Sequence, residues 1–201
     1  MPATTPADLT PAAQRLLRSA SELFYAHGLT AVGVDRIADT AGTTKKTLYD
    51  RFGSKDGLIL AYLQDRCDRW QAYVLDYLQS TAPPAGIDRV LAVYDALAAW
   101  MKQNERGCGF VNAYAELAGT GHKGLEVIRH EKRWVRTTFI ELAREAGVPE
   151  PELRGAELSI LHEGAIVQMT AGADEDALRT ARALAERVLD ASPVGVVAIQ
   201  A

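Results

Sequence analysis

The sequence predicts an all-α chain of about nine helices, in which an N-terminal three-helix unit containing a helix-turn-helix is followed by a larger helical body. Three observations carry this. Apolar residues recur at three- and four-residue steps along the chain, hydroxyl, glycine and proline signals fall at the ends of those runs, and no stretch alternates apolar and polar residues as a half-buried strand does. No internal repeat or low-complexity tract intervenes. With 201 residues, 48% of them hydrophobic, the chain can bury the cores of one small and one medium domain.

Thr10-Pro11 reads as a cap followed by a first-turn proline, and it opens a helix that buries Leu16, Ala20, Leu23 and Phe24. Val34, Ile37, Ala38 and Ala41 form the buried stripe of a short second helix from about Val34, with Asp35, Arg36 and Asp39 in water. Gly42 ends it. Thr43 and Thr44 supply a hydroxyl N-cap for a third helix, about Lys45 to Phe52, which buries Leu48 and Phe52. Ser54 caps the next helix, so the Lys55 charge and that helix's first free N–H groups would face one phosphate together.

The open side and start of the third helix carry Thr43, Thr44, Lys45, Lys46, Thr47, Tyr49 and Arg51. With Lys55 these are the candidate DNA-binding residues. Lysine can bond guanine in the major groove, threonine can meet a thymine methyl or a base edge, and tyrosine can donate its hydroxyl to a phosphate oxygen. The formal net charge is −4, so nucleic acid cannot be held by bulk charge and cationic groups must be concentrated locally. They are: from Gly42 to Lys55 the chain sets Lys45, Lys46, Arg51 and Lys55 against Asp50 alone. Residues 1–10 read as an arm that adds at most a minor DNA contact.

A long linking helix is expected from Lys55 to about Gln79, with Leu63, Cys67, Trp70, Val74, Tyr77 and Leu78 on its seam. The Thr81 to Gly86 segment, with two prolines, turns the chain. Ile87 to Gln103 forms the next helix, facing inward with Val90, Leu91, Tyr94, Leu97 and Met101. Phe110, Tyr114 and Leu117 share one side of a short helix, and Asn112 and Glu116 share another. Leu125, Ile128, Val135, Phe139, Leu142 and Ala146 keep a heptad rhythm broken only by Lys132, which predicts a further long helix. Two final helices, about Glu152 to Thr170 and Asp174 to Ala191, are joined at Ala171-Gly172-Ala173. Their apolar faces are wider than an antiparallel pair can bury, so the remainder suits a two-fold partner and a four-helix bundle. Residues 192–201 are apolar enough to lie on the body.

Catalytic spacings are missing. His130-Glu131 and His162-Glu163 lack the second histidine of a zinc helix, and there is no nucleophile elbow or Gly-rich phosphate loop. The expectation is therefore no catalytic residues, no metal and no cofactor. Cys67 and Cys108, the only cysteines, read as small buried apolar residues. With no secretory signal or apolar run of spanning length, the expected compartment is the cytoplasm, without a membrane partner. A better use for the body's aromatic and polar groups is a mostly apolar pocket: Trp70, Tyr94, Trp100, Tyr114 and Trp134 as flat walls, and Cys108, Asn112, Glu116, His130 and His162 as polar contacts.

From Arg15 through Leu63 the chain resembles the DNA-binding domain of the TetR/AcrR-type bacterial transcription regulators. The resemblance runs through Ala20, Leu23, Phe24 and Gly28, then Ile37-Ala38 and Ala41-Gly42, then Thr47-Leu48-Tyr49, Phe52, Ser54-Lys55-Asp56 and Leu58. It implies that Thr44, Lys46, Tyr49 and Lys55 lie at the DNA surface. Two departures stand out: Val32-Gly33 replaces a hydroxyl pair before the second helix, and Lys46 replaces a glycine common in the family, which implies a different base preference. The resemblance further implies a DNA-binding domain over 1–54, and a ligand-binding and dimerisation domain over 55–201, dimerising through the helices at about 152–191. The function it implies is a homodimeric repressor on near-palindromic double-stranded operator DNA, released by a small, mostly apolar or aromatic inducer. An activator of the same family, or a small-molecule sensor or carrier with vestigial DNA binding, are the alternatives.

Overall fold

The computed structural model describes residues 9–190. The expected arm contact of residues 1–8 and the expected packing of residues 192–201 lie outside the described residues. Those residues form nine helices and no strand: α1 (Pro11–His27), α2 (Val34–Thr40), α3 (Lys45–Phe52), α4 (Lys55–Ser80), α5 (Ile87–Met101), α6 (Gly109–Leu117), α7 (Gly124–Glu145), α8 (Pro151–Thr170) and α9 (Ala177–Asp190). The described residues pack as two compact units, one of residues 9–72 with 108–131, the other of 73–107 with 132–190.

In the first unit α1 begins where its cap signal stands, with the Thr10 hydroxyl accepting from the Ala13 N–H and Pro11 in the first turn. Its buried face, Leu16, Leu17, Ala20, Leu23 and Phe24, shares one core with Ile37 of α2, Leu48 of α3 and Leu58, Tyr62 and Leu63 of α4. Phe52 is only half-buried at the edge of that core. The short α6, which follows the body's first helix in sequence, packs in this unit through Phe110, Ala113 and Leu117. Tyr114, expected on that inward face, is exposed instead. Ala113, the neighbouring position, is buried in its place, so the helix presents 110, 113 and 117 inward and 114 to solvent.

In the second unit α5 is buried along Val90, Leu91, Tyr94 and Leu97, and α9 joins it through small residues, Ala177, Ala181 and Ala185. Arg182 of α9 bonds Asp95 of α5 at 2.9 Å. Helices α8 and α9 pack as neighbours. A Cβ on Gly155 of α8 would stand 2.3 Å from Ile140 Cγ1, so α7 and α8 touch backbone to side chain where only glycine fits. Lys132, the break in the α7 heptad, is half-buried and bonds both carboxylate oxygens of Glu163 at 2.8 and 2.9 Å. A charged residue on the apolar seam is thus matched by a partner on α8.

Candidate nucleic-acid interface

The outward face of α3 is built from short-range caps on a buried base. Ile37 and Leu48 are fully buried, which fixes one side of α2 and one side of α3. Between them Gly42 takes φ +60, a left-handed value that costs glycine nothing. The Thr43 N–H returns to the Ala38 carbonyl at 3.0 Å, and Arg15 Nε donates to the Ala41 carbonyl at 3.3 Å, so the end of α2 is satisfied from two directions. The Thr44 hydroxyl then accepts from the Thr47 N–H at 3.2 Å and starts α3. Ahead of α2 the cap is Gly33, with no side-chain bond, as the missing hydroxyl pair implied.

With Leu48 inward, Thr44, Lys45, Lys46, Tyr49 and Arg51 are exposed, while Thr43, Thr47 and Lys55 are half-buried. Gly53, at φ +74, ends α3, and the Ser54 hydroxyl accepts from the Gly57 N–H at 3.0 Å to open α4. Two of the lysines carry acid partners across open surface: Lys45 to Asp35 of α2 at 2.6 Å, and Lys46 to Asp50 one turn along α3 at 2.7 Å. The hydrogen bond and charge of Asp35 hold the Lys45 ammonium above its ordinary range. Such pairs are weak in water and can be exchanged for phosphate oxygens. Lys55 donates to the Thr30 carbonyl at 3.2 Å.

Glu116, expected to meet a ligand, is bonded within this unit. Its two oxygens accept from the N–H groups of Leu29 at 2.8 Å and Thr30 at 2.7 Å, in the turn after α1. Gly28, at φ +90, leaves room for it; a Cβ there would stand 2.9 Å from Glu116 Oε1. An open cleft of about 620 Å³ lies alongside, walled by Leu29, Lys55, Glu116 and His122 among others. His122 is itself tied down, its ring at 3.2 Å from the Asp56 carbonyl and accepting from the Gly124 N–H at 2.9 Å.

The other pocket candidates divide between the units. In the first, Trp70 is buried, Cys108 and Asn112 are half-buried, and Tyr114 and His130 are exposed. Asn112 and Glu116 share the lining of one small cavity with Phe24, Tyr25 and Tyr62. Cys67 is buried and its thiol is pushed up to about 12, by burial first and by the nearby Glu131 charge second. In the second unit, Tyr94 and His162 are brought together: the His162 ring lies 6.1 Å from Tyr94 and 5.9 Å from Phe139, edge-on to both. The Tyr94 hydroxyl donates to the Leu158 carbonyl at 2.7 Å, and burial raises its pKa. Trp100 and Trp134 are half-buried, and Trp100 packs on Tyr73 with ring centres 5.2 Å apart. Burial raises the Glu163 pKa, but the His162 hydrogen bond and the Lys132 charge outweigh it and hold the carboxyl at about 2.

Among the described residues no cluster of three or more His, Cys, Asp or Glu could hold a metal ion, and no helix is long and apolar enough to cross a membrane.

The sequence model of the family described as "Bacterial regulatory proteins, tetR family" matches residues 16–62, from α1 into α4. Beyond that segment the likeness extends to nearly the whole chain: a solved TetR-family transcriptional regulator from Streptomyces coelicolor is 33% identical, with a TM-score of 0.82, over 89% of this chain and 94% of that one. The chain belongs to the TetR family. It is a TetR-family transcriptional regulator, and the helix-turn-helix of α2 and α3 is the DNA-binding element that fits the family. Reduced NemR from E. coli, at 22% identity and a TM-score of 0.77 over 89% of this chain and 97% of that one, shares the TetR fold. The HTH-type transcriptional activator FasR of Mycolicibacterium smegmatis is 37% identical over 93 residues, a match that spans 46% of this chain and 42% of that protein.

Sequence reading missed three features of this TetR chain. Glu116 gave no local signal, because its partners are 86 and 87 positions away. Arg15 was named only as the start of the family resemblance, and its bond to the Ala41 carbonyl 26 positions away left no local signal. Ile160 was overlooked beside the wider apolar face of α8, although Leu153, Ile160 and Val167 repeat at seven-residue spacing, and that regularity could have exposed it.

Proposed function

We propose that the protein is a homodimeric regulator that seats α3 in the major groove of a near-palindromic operator and leaves it when a small, mostly apolar or aromatic inducer occupies the helical body. The observation that carries this reading is the outward face of α3. Lys46 and Tyr49 are exposed there on a two-turn helix whose opposite side is anchored by fully buried Leu48. Lys46 reads base edges, with Thr43, Thr44 and Thr47 at the start of the helix, while Lys45, Tyr49, Arg51 and Lys55 hold phosphates.

The dimer reading is supported by the stripe on α8. Leu153, Ile160 and Val167, together with Leu184 of α9, are large apolar side chains left exposed, and such a row is what a four-helix bundle between two copies would cover. Two-fold protein implies two-fold DNA, with reading helices roughly 34 to 36 Å apart in the bound form. An inducer acts only by its differential affinity for the released form; about 1 to 3 kcal/mol of coupling weakens operator binding some 5- to 150-fold. Within the second unit, the candidates to meet it are Tyr94, Trp100 and Trp134 as apolar walls and His162 as a polar contact.

The similarity to FasR, an activator by name, favours a second reading in which DNA-bound protein raises transcription. Promoter position decides the sign. A reporter driven by the selected promoter, with and without the regulator, tests both: repression predicts higher output on deletion, and activation predicts lower. Sequence-specific gel shifts test the shared claim, and a protein that shifts no promoter fragment at low salt contradicts it.

A further inference from the structure

We infer that Glu116, a residue of α6 outside the segment matched by the family, positions the DNA-contacting surface by clamping the turn between α1 and α2. The inference rests on the DNA-binding reading and adds a residue that touches no DNA.

The geometry is a relay from Glu116 through Leu29 and Thr30 to Lys55. The carboxylate fork accepts from the N–H groups of Leu29 and Thr30 at 2.8 and 2.7 Å. Both distances are in the range of charge-assisted bonds, which are about twice as strong as neutral ones. The carbonyl of Thr30, in the next peptide group, accepts from Lys55 Nζ at 3.2 Å. One short turn is therefore held by an anion at two successive N–H groups and holds a cation at the following carbonyl. The Glu116 fork fixes the Thr30 backbone and with it the position of the carbonyl that Lys55 meets.

The turn has few other restraints. Leu29 and Val32 are buried beneath it, which fixes its depth, yet its N–H groups fall beyond the last bond of α1, where Gly28 N–H reaches the Phe24 carbonyl at 2.9 Å. Three residues later α2 begins at a glycine cap with no side-chain bond. The family's usual hydroxyl cap is missing at this point, and the clamp supplies restraint one turn upstream. Gly28 completes the fit, since any side chain there would press on Glu116 Oε1 from 2.9 Å while holding φ +90.

The consequence is that Lys55 reaches phosphate from a fixed position, and the start of α2 keeps its direction, only while Glu116 grips the turn. Losing the clamp leaves the fold's core intact and loosens the Lys55 contact.

The test uses the full chain and a DNA site selected by the wild-type protein from a random-site library. Affinity is measured across salt concentrations for wild type, E116A, E116Q, K55A and the K55A/E116A double variant. E116A should lose roughly tenfold in affinity, the scale of one charge-assisted bond, and its salt slope should fall by about one, as for loss of a phosphate contact. In the K55A background the same change should cost no more than about twofold, because the contact it positions is already gone. E116Q, isosteric and with one acceptor remaining, should fall between. Amide exchange of Leu29 and Thr30, measured without DNA, should quicken in E116Q and E116A relative to their neighbours in α1. Additive losses in the double variant, a full salt slope in E116A, or unchanged exchange at Leu29 and Thr30 overturns the inference while leaving DNA binding in place. If E116A fails to fold, the E116Q exchange and salt slope decide. A wild-type protein that selects no site removes both this inference and the reading beneath it.

Discussion

The ammonium of Lys46 stands 2.7 Å from the carboxylate of Asp50, one turn further along α3 and on its solvent side. The pair is intrahelical and exposed, so it is weak in water and leaves Lys46 able to turn toward DNA. It also places an acceptor beside a donor on the surface proposed to meet base edges. Lysine suits guanine and a carboxylate suits the amino group of cytosine.

Lys46→Ala should therefore change which base is preferred at one position of each half-site, by about 1 to 3 kcal/mol of discrimination, and not merely weaken binding. Asp50→Asn should shift preference at the same or the adjacent base pair. Randomised-site selection reads both. An unchanged consensus in the two variants takes the pair out of the reading set.

Tyr49→Phe and Lys55→Ala should weaken binding nearly evenly across sequences, because phosphate contacts carry no base information. Lys55→Ala should also make the plot of log affinity against log salt shallower by about one, and Tyr49→Phe should not, since it removes no charge. Sequence-dependent losses in either variant would count against these roles.

Thr44→Ala removes the hydroxyl that accepts from the Thr47 N–H at 3.2 Å. The expected cost is about 1 kcal/mol of stability, read as a lower denaturation midpoint at unchanged slope, and Thr44→Ser should recover most of it. Wild-type stability in Thr44→Ala would show that the cap contributes nothing.

Glu163 gives a pH signature. Its carboxyl is held at about 2, well below its ordinary 4.5, so the folded state binds its proton more weakly than the unfolded chain. The stabilisation is fully present above about pH 4.5 and is lost as pH falls from there toward about 2. Chemical denaturation at a series of pH values should show that acid limb in wild type and a flatter one in Glu163→Gln. Equal slopes would place the acid sensitivity elsewhere.

Ile160 is 71% exposed on α8, so a charge there costs the isolated chain little. Ile160→Glu should yield folded monomer by sedimentation, with operator affinity falling toward that of a single half-site. A variant that stays dimeric moves the interface off this stripe.

What the sequence made legible follows from how local each signal is. Thr10, Thr44 and Ser54 cap helices with bonds that span three residues, so their positions could be read directly, as could the buried runs of α1 and α4. The outward side of α3 followed from Leu48 alone, since one buried position on a two-turn helix orients the rest. Tyr114 was misplaced because a four-residue step from Phe110 fits an apolar face as well as the three-residue step to Ala113 does, and only packing chooses between them. Glu116 was read as a ligand contact because a carboxylate among aromatic residues carries no mark of a backbone partner 86 positions away. The match of Lys132 to Glu163 was hidden for the same reason: an ion pair between helices leaves only two isolated charges in the sequence.

The most direct measurement is selection of genomic DNA fragments by the purified protein at low salt, run in parallel with the Lys46→Ala/Tyr49→Ala/Lys55→Ala variant. The account predicts a small set of promoter fragments sharing a near-palindromic site, bound by wild type and lost by the variant. Wild-type protein that enriches no shared site, or a variant that enriches the same fragments equally well, would contradict it.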